Sequence, residues 1–284
     1  MVKKTVRTSS KSPARKAVRN LKARKSKTRM RAMPGWLRNL LALAIVALFS
    51  VVFYYFVIRP YSYRWKECNG RKEYGVCIPC GYEVHGIDVS HYQGNIDWEV
   101  LQANKETDFP LHFVFMKATE GGDHGDDTFN SNFKKARDYG FIRGAYHFFT
   151  PRTDALKQAD FFIRTVKLKR GDLPPVLDVE LSGNKSKREL QKSIKRWLDR
   201  VEAHYGVKPI LYTSYKFKTH YLDDEAFDEY PYWIAHYYVD SVKYEGQWHF
   251  WQHTDIGTVP GINHDVDLNV FNGSLDELKE LTIQ

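Results

Sequence analysis

The sequence predicts an α/β fold, an irregular (β/α)5β3 TIM-like barrel, preceded by one transmembrane helix. Three observations predict it. Short β-branched and aromatic runs alternate with helix-period segments from about Val84 onward, as in strand–helix units. The last three strand candidates lie too close together for crossover helices between them. Upstream, WLRNLLALAIVALFSVVFYYFVI at Trp36–Ile58 is apolar after Asn39 apart from Ser50 and two tyrosines, long enough to cross about 30 Å of hydrocarbon as a helix.

Charge orients that span. Residues 1–33 carry thirteen Lys or Arg and no acid, whereas residues 84–284 carry 24 basic and 31 acidic side chains, a net of −7. Positive charge before a span keeps that side in the cytoplasm. The acidic remainder argues against nucleic-acid binding by the globular part. The apolar run ends in Tyr54, Tyr55, Phe56 and Arg59-Pro60 rather than in small residues, so it reads as an uncleaved signal anchor. Tyr61, Tyr63 and Trp65 suit the far interface.

The expected organisation is therefore a basic cytoplasmic arm at 1–35, a transmembrane anchor at 36–58 that meets the lipid bilayer, a Cys-containing linker at 59–83 and a barrel at 84–284. The chain would be a single-pass membrane protein with its barrel outside the cytoplasm. Cys68, Cys77 and Cys80 fall in the linker, where an exported segment favours a disulfide. Three thiols leave one over, and the spacing does not say which pair forms.

Eight strands are expected at Val84–Val89, His112–Ala118, Ile142–Phe148, Pro175–Leu181, Pro209–Thr213, Tyr232–His236, His249–His253 and Asp265–Val270, in a parallel sheet. Helices fit after the first five, at Trp98–Lys105, Thr128–Tyr139, Thr153–Lys167, Lys187–Tyr205 and Tyr215–Tyr221. The fourth is the clearest. Leu190, Ile194, Trp197, Leu198, Val201 and Tyr205 form one stripe, Ser186 and Glu189 have capping-box spacing, and Gly206 follows as a left-handed stop.

Function in such barrels gathers at the carboxyl ends of the strands, and carboxylates stand there. Asp88 ends the first strand, Asp178 and Glu180 the fourth, and Asp267 lies in the last. Strand alternation puts Asp178 and Glu180 on one face and Leu177, Val179 and Leu181 on the other, so both acids turn inward once the apolar face meets the helices. Burial and mutual repulsion then raise at least one pKa, leaving a carboxylic acid able to protonate a glycosidic oxygen beside ionised neighbours. Taken alone, D-x-E is more often a salt-bridged strand end, and Asp88 and Asp267 on other strands turn the balance. Lys117 is the one cation on a neighbouring inward face.

Tyr146, Tyr212, Trp233, Tyr237 and Trp251, near strand ends, are candidate walls for sugar rings, with core packing the alternative for each. His249 and His253 are four apart on a strand, which is not a helical metal-ligand pair. No H-E-x-x-H, phosphate loop or G-x-S-x-G is present, and no metal is indicated.

The motifs GIDVSHYQG at 86–94, FMKATEGG at 115–122, GAYHFF at 144–149, PVLDVE at 175–180, LYTS at 211–214, YWIAHY at 232–237, WQHT at 251–254 and VDLN at 266–269 occur in this order. Residues 84–284 thereby resemble glycoside hydrolase family 25, the lysozymes or muramidases. The resemblance implies cleavage of the β-1,4 bond between N-acetylmuramic acid and N-acetylglucosamine in peptidoglycan glycan strands, without cofactor. It makes Glu180 the proton donor and Asp178, Asp88 and Asp267 the supporting acids, with Tyr146, Tyr212, Trp233 and Tyr237 lining the groove. An anchor in place of a cleavable signal, and no wall-binding repeats, point to a tethered enzyme remodelling its own wall. Two competing readings are a catalytically silent glycan-binding barrel and an anchored nucleic-acid or lipid binder using the basic arm. Oligomeric state is not legible.

Overall fold

The computed structural model describes residues 33–59, 68, 70–104 and 109–284. The basic arm up to residue 32, Tyr61, Tyr63, Trp65 and the expected helix end at Lys105 lie outside the described residues. The chain divides into two compact units at Tyr54/Tyr55. The first holds helix α1 (Gly35–Phe53), which runs on into a π-turn over Tyr54–Ile58. After Asn39 it is apolar on every face apart from Ser50, and it buries none of its residues. The 24 residues Gly35–Ile58 rise about 36 Å at 1.5 Å each, long enough to cross a bilayer.

The second unit includes a hairpin, β1 (Arg71–Glu73) and β2 (Val76–Ile78), paired antiparallel. Its turn residues Tyr74 and Gly75 both have positive φ, 50° and 75°, which matches the right-handed strand twist. A disulfide joins Cys68 to Cys77, and Cys80 is exposed. Tyr74 and Ile78 are buried in the main core, and the Tyr74 hydroxyl donates to the Phe109 carbonyl at 2.7 Å. The later part of the segment read as a linker is thus packed structure.

Eight strands close a ring in the order β3 (Val84–Val89), β4 (Leu111–Glu120), β6 (Ile142–Phe148), β7 (Val176–Asp178), β8 (Ile210–Ser214), β9 (Tyr232–Ala235), β10 (Phe250–Gly257) and β11 (Val266–Phe271), which returns to β3. A two-residue strand β5 (His124–Gly125) pairs with the end of β4. Helices α2 (Trp98–Ala103), α3 (Phe129–Asp138), α4 (Ala155–Thr165), α5 (Lys187–Tyr205) and α6 (Tyr215–Tyr221) follow β3, β5, β6, β7 and β8 in turn. Among the described residues no helix lies between β9, β10 and β11. A short α7 (Leu275–Glu280), which the periodicity did not predict, follows β11. α5 is capped as its sequence predicts, with reciprocal Ser186–Glu189 bonds and a left-handed Gly206.

The expectation of a parallel sheet is corrected at one strand. β11 is antiparallel to both β10 and β3. Only residues 258–265 link it to β10, enough for a hairpin return and too few for a crossover.

Alternation divides the apolar side chains into layers. Ile87, Val114, Met116, Leu177, Val179 and Leu211 pack outward with the helices, while Phe113, Phe115, Val176, Ile210, Trp233 and Phe250 form the barrel interior. The Phe rings fit because adjoining strands carry glycine opposite them. A Cβ at Gly86 would lie 2.4 Å from the Phe113 ring, and one at Gly144 2.3 Å from the Phe115 ring.

Candidate active site

Inward positions change from apolar to polar toward the carboxyl ends of the parallel strands. β3 reads Val84, Gly86, Asp88; β4 reads Phe113, Phe115, Lys117; β7 reads Val176, Asp178, with Glu180 just past the strand end. Hydrophobic burial fixes the lower layer, and alternation with outward Ile87, Met116 and Leu177 leaves the polar side chains no other direction. They surround a cavity of about 240 Å3.

Nine of the ten sequence-predicted residues line it: Asp88, Asp178, Glu180, Asp267, Lys117, Tyr146, Tyr212, Trp233 and Tyr237. Trp251 does not, and its expected place in the sugar groove is corrected. It packs outside the barrel with Tyr232, Ile234 and Val270, and its indole N–H donates to the His236 carbonyl at 2.8 Å. Its neighbour Gln252 takes the inward position, as the two-residue period requires.

A hydrogen-bonded chain fixes the floor. The Tyr212 hydroxyl donates to Gln252 Oε1 at 2.7 Å, and Tyr237 donates to the same oxygen. That commits the Gln252 amide nitrogen to donate to Asp88 Oδ2, at 2.8 Å. Asn269 Nδ2 donates to the same Oδ2 at 2.7 Å, and its own Oδ1 accepts from the Trp233 indole at 2.8 Å. The Trp233 ring is held in turn by stacking on Phe115, with centroids 4.3 Å apart. Tyr212 also lies 3.3 Å from Glu180 Oε1. Lys117 donates to Glu120 at 2.7 Å and sits 5.1 Å from the centre of the Phe148 ring.

Every acid of the cavity has its pKa raised. Burial is the main cause for Asp267, reinforced by the charge of Asp88, with which it shares a hydrogen bond. Burial also raises Asp88, opposed by bonds from Asn269, Gln252 and Asp267. Those donors favour the charged form of Asp88, and Asp267 is the more strongly raised of the two. Asp178 is raised well above the carboxylate range by burial and then by the charges of Glu180 and Asp88, and its Oδ1 has no partner. Glu180, exposed at the rim, is raised by partial desolvation, against the hydroxyl of Tyr212 and the charge of Lys117. The cavity therefore sets carboxyls biased toward their protonated form beside Asp88, whose charge two amides stabilise, the pairing that acid-assisted acetal cleavage needs.

Sequence reasoning missed several residues of the site. Gln252 and Asn269 orient Asp88, while Ser90, Tyr92, Gln93 and Phe148 contribute to the wall. Asn269 was signalled by alternation, two positions from Asp267 between Leu268 and Val270. Tyr92 is 72% exposed and tilted against His91, whose imidazole Nδ1 and backbone N–H both engage Asp126 Oδ2. Only the fold brings that loop over the cavity.

The model of the Glycosyl hydrolases family 25 matches residues 87–262. Among curated proteins, the chain is 45% identical over 211 residues to the uncharacterized protein YegX of Escherichia coli strain CFT073, spanning 73% of this chain and 76% of the relative. It is 34% identical over 214 residues to Lysozyme M1 of Streptomyces globisporus, spanning 70% and 71%. Among solved structures, a family 25 glycosyl hydrolase from Bacillus anthracis superposes with a TM-score of 0.65 at 33% identity, over 71% of this chain and 94% of the other. A bacterial lysozyme from Streptomyces coelicolor gives the same TM-score and identity, over 70% and 96%. With its eight-stranded barrel, its ring of four acids and these matches, the chain belongs to glycosyl hydrolase family 25.

Proposed function

We infer that this protein is a peptidoglycan muramidase, hydrolysing the β-1,4 bond between N-acetylmuramic acid and N-acetylglucosamine. The observation that carries the reading is the cavity of this family-25 barrel, where Asp88, Asp178, Glu180 and Asp267 converge between aromatic walls. Glu180 is the proton donor. It alone of the four stands at the exposed rim, where a glycosidic oxygen can reach it, and desolvation raises its pKa, which favours the protonated form. As the bond breaks, its electron pair goes to the bridging oxygen, which takes the proton from Glu180. The cationic sugar carbon is stabilised by Asp88, whose charge Gln252, Asn269 and Asp267 hold in place. Asp178, whose side chain lines the same cavity, orients the incoming nucleophile.

Helix placement supports a (β/α)5β3 description of the barrel, five strand–helix units followed by three strands. The span Gly35–Ile58, preceded by the basic arm, supports a single-pass anchor with the N-terminus in the cytoplasm and the barrel outside. The Cys68–Cys77 disulfide fits an oxidising exterior. An enzyme held there acts on its own wall. The test is release of reducing ends from purified peptidoglycan by the detergent-solubilised chain and by Glu180→Gln, with mass spectrometry of the products. Muramic-acid reducing ends from the wild type and at least a hundredfold fewer from the variant, a loss of the order of general-acid catalysis, are expected. Binding of glycan without cleavage by either protein would replace this reading with a silent binding barrel.

A further inference from the structure

Beside the catalytic cavity lies a second one of about 620 Å3, and Glu180 forms part of both walls. The loops after β6 and β7 and one face of α6 build it. Pro151, Leu181, Phe217 and Tyr221 make it mainly apolar, and Arg152 brings a cation to it. Leu181 is 49% exposed, a large apolar side chain left facing this hollow.

The site is built. The wholly buried Gln158 pins the loop that bears Arg152, accepting from the Thr150 backbone N–H at 2.9 Å and donating to the Thr150 carbonyl at 3.0 Å. Pro151 is buried against Gly183, where φ is +60° and a Cβ would lie 2.7 Å from the proline, so only glycine lets the two loops meet. Neighbouring Asp154 and Lys157 are engaged with Arg196 and Asp123. Among the described residues no carboxylate pairs with Arg152.

We propose that this second cavity binds the stem peptide of peptidoglycan. The proposal rests on the muramidase reading and deepens it. The sugar whose anomeric bond is cleaved carries the lactyl-linked peptide two ring carbons away, so the peptide leaves the glycan within a sugar's width of Glu180. A sugar subsite calls for many hydroxyl partners, whereas a stem peptide offers alanine methyl groups and free carboxylates. Pro151, Leu181 and Phe217 match the methyl groups, and the unpaired guanidinium of Arg152 matches a carboxylate.

The experiment compares kcat/KM on glycan strands bearing uncrosslinked stem peptides with kcat/KM on the same strands stripped by an amidase, for wild type, Arg152→Ala and Arg152→Glu. The wild type is expected to prefer peptide-bearing strands by about tenfold, the scale of one charge-assisted contact. The preference should shrink to less than about threefold in Arg152→Ala and fall further in Arg152→Glu. Equal wild-type rates on both strands overturn the proposal and leave the muramidase reading intact. A drop by one common factor on both strands in Arg152→Ala makes the cavity a sugar site and also overturns it. Cleavage of neither strand by the wild type removes the muramidase reading, and this assignment with it.

Discussion

Asp88 on β3 and Asp267 on β11 are register partners across the antiparallel seam that closes the barrel, and burial raises both carboxyls, Asp267 the more strongly.

This pair sets a pH dependence of stability. Asp267 keeps its proton in the fold at pH values where the unfolded chain has lost it, so stability falls as pH rises from about 4 toward the raised folded value. Asn at this position still donates to Asp88 and has no proton to lose. Asp267→Asn should match the wild type near pH 4 and exceed its Tm at pH 8 by about 2–8 °C. Thermal unfolding followed by circular dichroism at both pH values checks this. A variant less stable at pH 8 would mean that residue 267 is ionised and paired.

Lys117 holds down the pKa of both Glu180 and Asp178. A proton donor fails as pH rises through its pKa, so Lys117→Met should carry the alkaline limb of kcat to higher pH. A pH–rate profile on soluble glycan reads it directly. A limb that stays in place would separate Lys117 from the acid.

Both ends of the Gln252 amide are engaged, its oxygen by two tyrosines and its nitrogen by Asp88. Gln252→Glu keeps the acceptor and turns a second carboxyl oxygen on Asp88. We expect kcat/KM to fall by about 10- to 100-fold, the cost of an unsatisfied buried contact. Wild-type kinetics in this variant would show that Asp88 needs no such orientation.

Gly144→Ala should cost about 1–3 kcal/mol, because its Cβ would sit inside the Phe115 ring contact. Combining it with Phe115→Leu should recover part of that loss, a coupling that urea denaturation of the four proteins measures. Simple additivity would deny the contact.

Removing the hairpin should weaken the barrel. A chain beginning at residue 84 leaves the core without Tyr74 and Ile78, so it should melt below one beginning at residue 60. Equal Tm values would make the hairpin an appendage.

Much of this was legible because periodicity and alternation are local. Strand β6 and helices α5 and α6 lie where their patterns put them, and Asp178 and Glu180 share a face as a period of two requires. The direction of β11 was not legible from its own residues, since it depends on how little chain links it to β10. Trp251 misled because aromatic character says nothing about which face a residue occupies, whereas the register of β10 against β9 and β11 turns Gln252 inward. The hairpin escaped notice because Tyr74-Gly75 is a weaker turn signal than Asn-Gly, and its burial is a tertiary fact.

The seam between β3 and β11 also fixes when the site can exist. The bond from Asn269 to Asp88 spans 181 residues, and Asp267 belongs to the same late strand. A growing chain displays Glu180 long before the groups that hold Asp88 have been synthesised. Contacts of such separation form slowly and late. On the proposed roles, hydrolytic competence waits for β11, and a product ending short of residue 266 would carry the proposed proton donor without the groups that hold Asp88.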